Sequence, residues 1–159
     1  MSADPREAIA ALLDAGAPRS VLLLSPDPHG EWLAWCKSHC AGTIHAITAA
    51  PLAALERRGR ADLALVIGLL EQLDKDTGEL VIGRLRNLHT DHLYVLIGDD
   101  PRWRATDWYG LALQRIEQFE IEGHTLTLYG YDLATYNRVR TWNNPKYWAN
   151  PDNWNRYWW

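Results

Sequence analysis

The sequence predicts an α/β fold of three layers: a mostly parallel sheet with helices on both faces and an antiparallel hairpin at its C-terminal end. Three observations carry that prediction. Residues 63–68, Leu-Ala-Leu-Val-Ile-Gly, contain no charge and no side-chain hydrogen-bonding group, so the run reads as a strand buried on both faces. Short apolar runs of this kind alternate with stretches of helical spacing, an order that implies right-handed crossovers between parallel strands. Residues 114–122 and 124–131 instead alternate apolar and polar side chains about Glu122-Gly123, the pattern of a hairpin.

Taken in order, residues 6–15 place Ile9, Leu12 and Leu13 on one side of a helix that Gly16 and Pro18 end. Residues 20–25, Ser-Val-Leu-Leu-Leu-Ser, form a buried strand, broken by Pro26-Asp27-Pro28-His29-Gly30. Helical spacing resumes over 31–40, with Trp32, Trp35, Cys36 and Cys40 on one broad face. Residues 43–48 are the second strand. Residues 51–58 follow as a short helix whose basic end the helix dipole favours. The central strand spans 62–68, and residues 77–89 make a helix with Leu80, Val81, Leu85 and Leu88 along one side. Residues 92–98 give the fourth strand, stopped by Asp99-Asp100-Pro101, and 107–113 a short helix before the hairpin. After Asp132 the apolar periodicity stops. The chain therefore divides into an α/β domain over 1–132 and a Trp- and Tyr-rich extension over 133–159.

Composition bounds the function. The chain has 159 residues and a net charge of −4, which suits one domain with a real core and gives no global pull toward nucleic acid or lipid. No apolar run approaches the ~20 residues needed to span a bilayer. The first residues lack a basic start followed by an apolar stretch, and there are two cysteines, so the expected setting is the reduced cytoplasm. Nine Trp and seven Tyr against one Phe favour aromatic rings with a polar handle, which suit surfaces and interfaces.

The strand order resembles that of the class I S-adenosylmethionine-dependent methyltransferases, a Rossmann-like fold. Residues 62–73, Asp-Leu-Ala-Leu-Val-Ile-Gly-Leu-Leu-Glu-Gln-Leu, look like that family's fourth strand and the loop after it, with Gln72 where His is usual. Residues 93–98 resemble its fifth strand. The likeness covers roughly residues 5–132 and implies a cofactor site around Ser25, Asp27, His29, Gly30 and Glu71. Three departures weaken that implication. The family's first strand runs into a glycine-rich turn, whereas Ser25-Pro26-Asp27-Pro28-His29-Gly30 has one glycine and two prolines, which remove amide donors and stiffen the loop. The family's second strand ends in an acidic residue that holds the ribose, and residues 43–50 offer none. The stretch between Pro51 and Asp62 is also short for the family's third strand.

Each constellation has a plain reading beside a functional one. Ser25, Asp27, His29 and Gly30 sit where a helix N-terminus would take an anion; the plain reading is that Asp27 or Ser25 caps the helix and His29 is solvated. Glu71 and Asp99-Asp100 end neighbouring strands and would meet in one crevice, yet no nucleophile or base can be placed beside them. Cys36, His39, Cys40 and His45 lack the paired turn spacing of a structural zinc site, so no metal is expected and the thiols read as buried and inert.

The tail is the most unusual stretch. Trp142, Trp148 and Trp154 recur every six residues, the first two each leading into Asn-Pro, a pattern of kinked turns. Arg138, Arg140, Lys146 and Arg156 face only Asp152. Three readings compete: packing over the domain, docking on a protein partner through Trp142, Tyr147, Trp148, Trp154, Tyr157, Trp158 and Trp159, or stacking on single-stranded nucleic acid. The acidic body ranks the last reading lowest. Two functional classes follow. The leading one is a non-catalytic methyltransferase-like domain, without cofactor, that binds a partner through its crevice or its aromatic tail. The alternative is a divergent methyltransferase that uses S-adenosylmethionine.

Overall fold

The computed structural model describes residues 4–27 and 30–132. The elements run α1 (Pro5–Gly16), β1 (Ser20–Leu24), α2 (Glu31–His39), β2 (Thr43–Ile47), α3 (Pro51–Glu56), β3 (Leu63–Ile67), α4 (Lys75–Arg84), β4 (His92–Gly98), α5 (Ala105–Gly110), β5 (Gln114–Ile121) and β6 (His124–Asp132). The six strands form one sheet in the order β2-β1-β3-β4-β6-β5. β2, β1, β3 and β4 are parallel, and β6 runs antiparallel to both β4 and β5. This is the expected architecture, with β2 as the outer strand on its side.

β3 lies between β1 and β4, and all five of its residues are buried. Its side chains alternate between two cores. Leu63, Leu65 and Ile67 pack with Ile9 and Leu13 of α1 and Cys36 of α2. Ala64 and Val66 pack with Leu55, Val81, Ile82, Leu85, Trp103 and Trp108 on the opposite face. A strand covered on both faces leaves no position for a polar side chain, which is why the sequence there is uninterrupted.

Local chemistry sets the element ends. Asp4 caps α1 by accepting from the Arg6 amide at 2.9 Å, with Pro5 at the first helical position. The left-handed residue that ends α1 is Ala17, with φ +42°, so Gly16 belongs to the last turn and does not act as the stop. Arg57 and Arg58 fall just beyond α3, which ends at Glu56. Glu122 and Gly123, with φ +50° and +80°, make the two-residue turn that joins β5 to β6, matching the twist of the flanking strands.

The expected stripe on α4 needs correction. Gly78, Val81, Ile82 and Leu85 face the core, while Leu80 and Leu88 are 57% and 60% exposed. Residues Leu85–His89 wind as a π turn, with the Thr90 amide donating to the Leu85 carbonyl at 2.9 Å. That one extra residue per turn rotates Leu88 outward and puts His89 in the buried position, where its Nδ1 lies 3.2 Å from the Gly59 carbonyl. Trp103 and Trp108 are also core residues, stacked at 4.6 Å, with Tyr129 4.3 Å beyond Trp108. Among the described residues no helix is long and apolar enough to cross a membrane.

The π turn makes a contrast that urea unfolding can read. Leu85→Ala should cost about 2–5 kcal/mol, as expected for a fully buried leucine. Leu88→Gln should change stability by no more than about 0.5 kcal/mol.

Candidate functional site

β2 lies on one side of β1 and β3 on the other, so the sheet changes its direction of growth at β1. In open α/β sheets ligands bind beyond the carboxyl ends of the strands at such a point. Here that edge is built from the loop after β1, the start of α2 and the turn after β3.

Ser25 leaves β1 buried, its amide donating to the Ile47 carbonyl at 3.0 Å. Asp27 then turns with φ +30°, and Gly30, at φ +67°, precedes the first turn of α2. This path brings the Asp27 carboxylate back under the helix. Its Oδ1 accepts from the Trp32 amide and its Oδ2 from the Leu33 amide, each at 3.1 Å. The first amides of a helix have no partner within it and carry the positive end of its dipole. In this chain a carboxylate of its own loop takes two of them.

Ser25, Pro26, Asp27, Glu31, Trp32, Ile67 and Gly68 line the crevice that remains, with a volume of about 250 Å³. Ligand pockets for drug-sized molecules span about 300–1,000 Å³, so this opening is small. Trp32 forms one wall, its ring edge-on to Trp35 at 5.6 Å and 5.2 Å from the Arg6 guanidinium.

Beside the crevice lies a ledge made by the turns after β3 and β4. Gly68, with φ +68°, ends β3, and residues Leu70–Gln72 form a 3₁₀ turn. Glu71 Oε1 reaches across to accept from the Gly98 amide at 2.9 Å. Arg102 donates to the Leu73, Leu70 and Glu71 carbonyls at 2.8, 3.4 and 3.2 Å, and its guanidinium pairs with Asp100 at 2.7 Å. Crowding by protein pushes the Glu71 carboxyl above its ordinary range, and Asp100 adds to this. The Gly98 hydrogen bond and Arg102 oppose the shift. Hydrogen bonds from Arg102 hold Asp100 below its ordinary range. Asp99 takes part through its backbone, donating to the Thr125 carbonyl at 3.1 Å.

The structure places the described residues of that group along one edge of the sheet. Ser25 and Asp27 line the crevice, Gly30 is the helix cap position behind it, and Glu71 stands on the ledge next to Gly68. His29 lies outside the described residues, as do Trp142, Tyr147, Trp148, Trp154, Tyr157, Trp158 and Trp159. Arg102 had no role in the sequence reading, although an arginine two residues after Asp100 is the local spacing of such a pair. The end of β2, Ile47-Thr48-Ala49-Ala50, carries no carboxylate. His39 stacks on Trp35 at 4.4 Å, and His45 Nδ1 lies 3.0 Å from Arg58. Among the described residues no three His, Cys, Asp or Glu side chains gather to hold a metal. Cys36 is buried, and burial pushes its thiol up to about 11, with Cys40 and Asp27 adding.

A family model described as a family of unknown function, DUF6231, matches residues 3–159. The chain belongs to DUF6231. No curated protein matches it. Solved structures share the fold of this DUF6231 chain at low identity. One is magnesium protoporphyrin IX methyltransferase from Synechocystis PCC 6803 with bound SAM, at 9% identity and a TM-score of 0.60, over 79% of this chain and 76% of that one. Another is 1,6-didemethyltoxoflavin-N1-methyltransferase of Burkholderia thailandensis, at 11% and 0.59, over 80% and 77%. A third is the putative methyltransferase yhhF of Escherichia coli, at 13% and 0.52, over 82% and 88%. The DUF6231 domain therefore has a methyltransferase-like fold.

Two measurements test this edge. Glu71 binds its proton more tightly in the folded chain than in the unfolded one, so it makes stability fall as the pH rises from the ordinary glutamate range into the raised one. Glu71→Gln keeps an acceptor for the Gly98 amide, and its unfolding free energy should lose that pH dependence without loss of stability at neutral pH. In the native protein a thiol reagent at pH 8 should modify Cys40 and spare Cys36 until denaturant is added, because the thiolate is the reactive form.

Proposed function

We propose that this chain is a methyltransferase-like domain that acts by binding and carries no S-adenosylmethionine. The observation behind this reading is the Asp27 carboxylate on the Trp32 and Leu33 amides. An anionic group entering at the start of α2 meets a negative charge already in place, where an open helix terminus would offer two donors. The rest of the edge agrees. Pro26 offers no amide donor at the crevice, β2 ends without a carboxylate to hold a ribose, and the crevice between the described residues is small, about 250 Å³. The residues present do not fit that cofactor.

In this reading the sheet is a scaffold and the contacts lie on its surface. The crevice wall offers Trp32, and the tail offers Trp148, Trp154, Tyr157, Trp158 and Trp159, side chains of the kind that anchor protein interfaces. A protein partner is favoured over nucleic acid, since residues 1–132 carry 12 Lys and Arg against 19 Asp and Glu.

The test is calorimetric titration and thermal melting with S-adenosylmethionine and S-adenosylhomocysteine. A ligand at about 100 times its Kd stabilises by about 2.7 kcal/mol. The expected result is no heat of binding and no rise in Tm. Binding at micromolar Kd would overturn the reading in favour of a divergent methyltransferase. In the same melts Asp27→Ala should destabilise the domain by about 0.5–2 kcal/mol, the range for losing a helix cap.

A further inference from the structure

The sheet ends on one side at β2, and no described strand pairs with the far side of it. Thr43 donates its amide to the Arg19 carbonyl and Ile47 accepts the Ser25 amide, so Thr43, His45 and Ile47 turn their backbone groups toward β1. Successive residues of a strand point these groups to opposite sides. The amides and carbonyls of Ile44 and Ala46 therefore face outward, and among the described residues nothing pairs with them there. β5, the outer strand on the other side, carries Arg115, Glu117 and Glu120 and a break in register between Arg115 and Glu117. Such features keep an outer strand from pairing with another chain. β2, Thr-Ile-His-Ala-Ile, has no Lys, Arg, Asp, Glu or proline and runs unbroken along β1.

The charge beside this strand is opposite to that of the domain. Residues 36–60, which include β2 and α3, carry four Lys and Arg against one Glu, whereas residues 1–132 have a net charge of −7. Arg60 pairs with Asp91, and the single Glu56 with Arg84. That leaves Lys37, Arg57 and Arg58 with no carboxylate partner among the described residues. Arg58 reaches β2 itself, its Nη1 donating to His45 Nδ1 at 3.0 Å. His45 shares its side of the sheet with Ile47, which packs in one core with Leu55 of α3, while Ile44 packs in the opposite core. The unpaired strand is thus cationic on its α3 face.

We infer that the outer side of β2 takes an extended acidic segment of a partner protein as an added strand, bonded to the backbone of Ile44 and Ala46, with carboxylates at alternate positions facing His45, Arg57 and Arg58. Strand addition draws its affinity from the backbone and its selectivity from alternate side chains. Other occupants suit the charge less well. A second copy paired about a two-fold axis at His45 would bring two Arg58 side chains together. The C-terminal extension is itself cationic, with four Lys and Arg against one Asp. A phosphate backbone suits the arginines but supplies no row of amides and carbonyls for Ile44 and Ala46. This surface is apart from the crevice, and the inference holds whether or not the carboxyl edge takes a cofactor.

The test follows the backbone amides of the full chain by NMR. In dilute protein alone, Ile44 and Ala46 should exchange quickly with solvent and His45 slowly, since only His45 is bonded to β1. A short peptide of alternating Val and Glu should slow Ile44 and Ala46 several-fold, and a peptide with Lys in place of Glu should not. Replacing Arg57 and Arg58 together by Glu should weaken binding of the Val and Glu peptide several-fold. So should Ala46→Pro, which removes an outward amide and leaves the β1 ladder intact, and which serves if the double variant folds poorly. Slow exchange of Ile44 and Ala46 in the free protein would mean that its own chain or a second copy already covers the strand, and would overturn the inference. No change at Ile44 and Ala46 with the acidic peptide, equal binding of the Lys peptide, or stronger binding of oligothymidylate would overturn it too.

Discussion

A central strand covered on both faces is the constraint from which the rest of this molecule follows. β3 cannot carry a polar side chain, so every charged or hydrogen-bonding group near the middle of the sheet is displaced to its two edges. At the carboxyl edge Gly68 turns the chain and Glu71 crosses to the neighbouring strand. At the amino edge Asp62 is the first residue in water, and its carboxylate holds the Arg19 amide at the entry to β1. The two edges are therefore chemically alike in being acidic, and they differ in how much of that acidity is spent on the protein itself.

The carboxyl edge is largely self-satisfied. Asp27 takes helix amides, Glu71 takes the Gly98 amide, and Asp100 takes Arg102, which in turn ties down three carbonyls of the turn after β3. Each bond removes a donor or acceptor that a ligand would otherwise use. The methyltransferase-like fold is kept, while the polar groups described at its carboxyl edge are occupied by one another.

Much of this was legible in the sequence, because it depends on local patterns. The uncharged run at 63–68 marks β3, the same logic gives β4 its bounds of 92–98, and a glycine after Glu122 marks the hairpin turn. What stayed hidden depends on distance or on a slip in register. Glu71 and the Gly98 amide are 27 residues apart, and nothing at either position announces the bond. A π turn shifts helical phase by one residue, so Leu88 looks internal by spacing and is external in fact. Trp103 and Trp108 fit the surface role that composition suggests for indoles, yet they stack inside the core, Trp108 from α5 itself. Asp27 was readable as a cap, but only the left-handed backbone at Asp27 and Gly30 shows that it reaches amides five and six residues on.

The account turns on whether the first amides of α2 are already satisfied by the chain. Amide hydrogen exchange of Trp32 and Leu33, followed by NMR, answers this most directly. Both amides should exchange slowly in the protein alone, and their rates should not change when saturating S-adenosylhomocysteine is added. Fast exchange in the free protein that slows with the nucleoside would show that those donors were waiting for a ligand, and it would contradict the account.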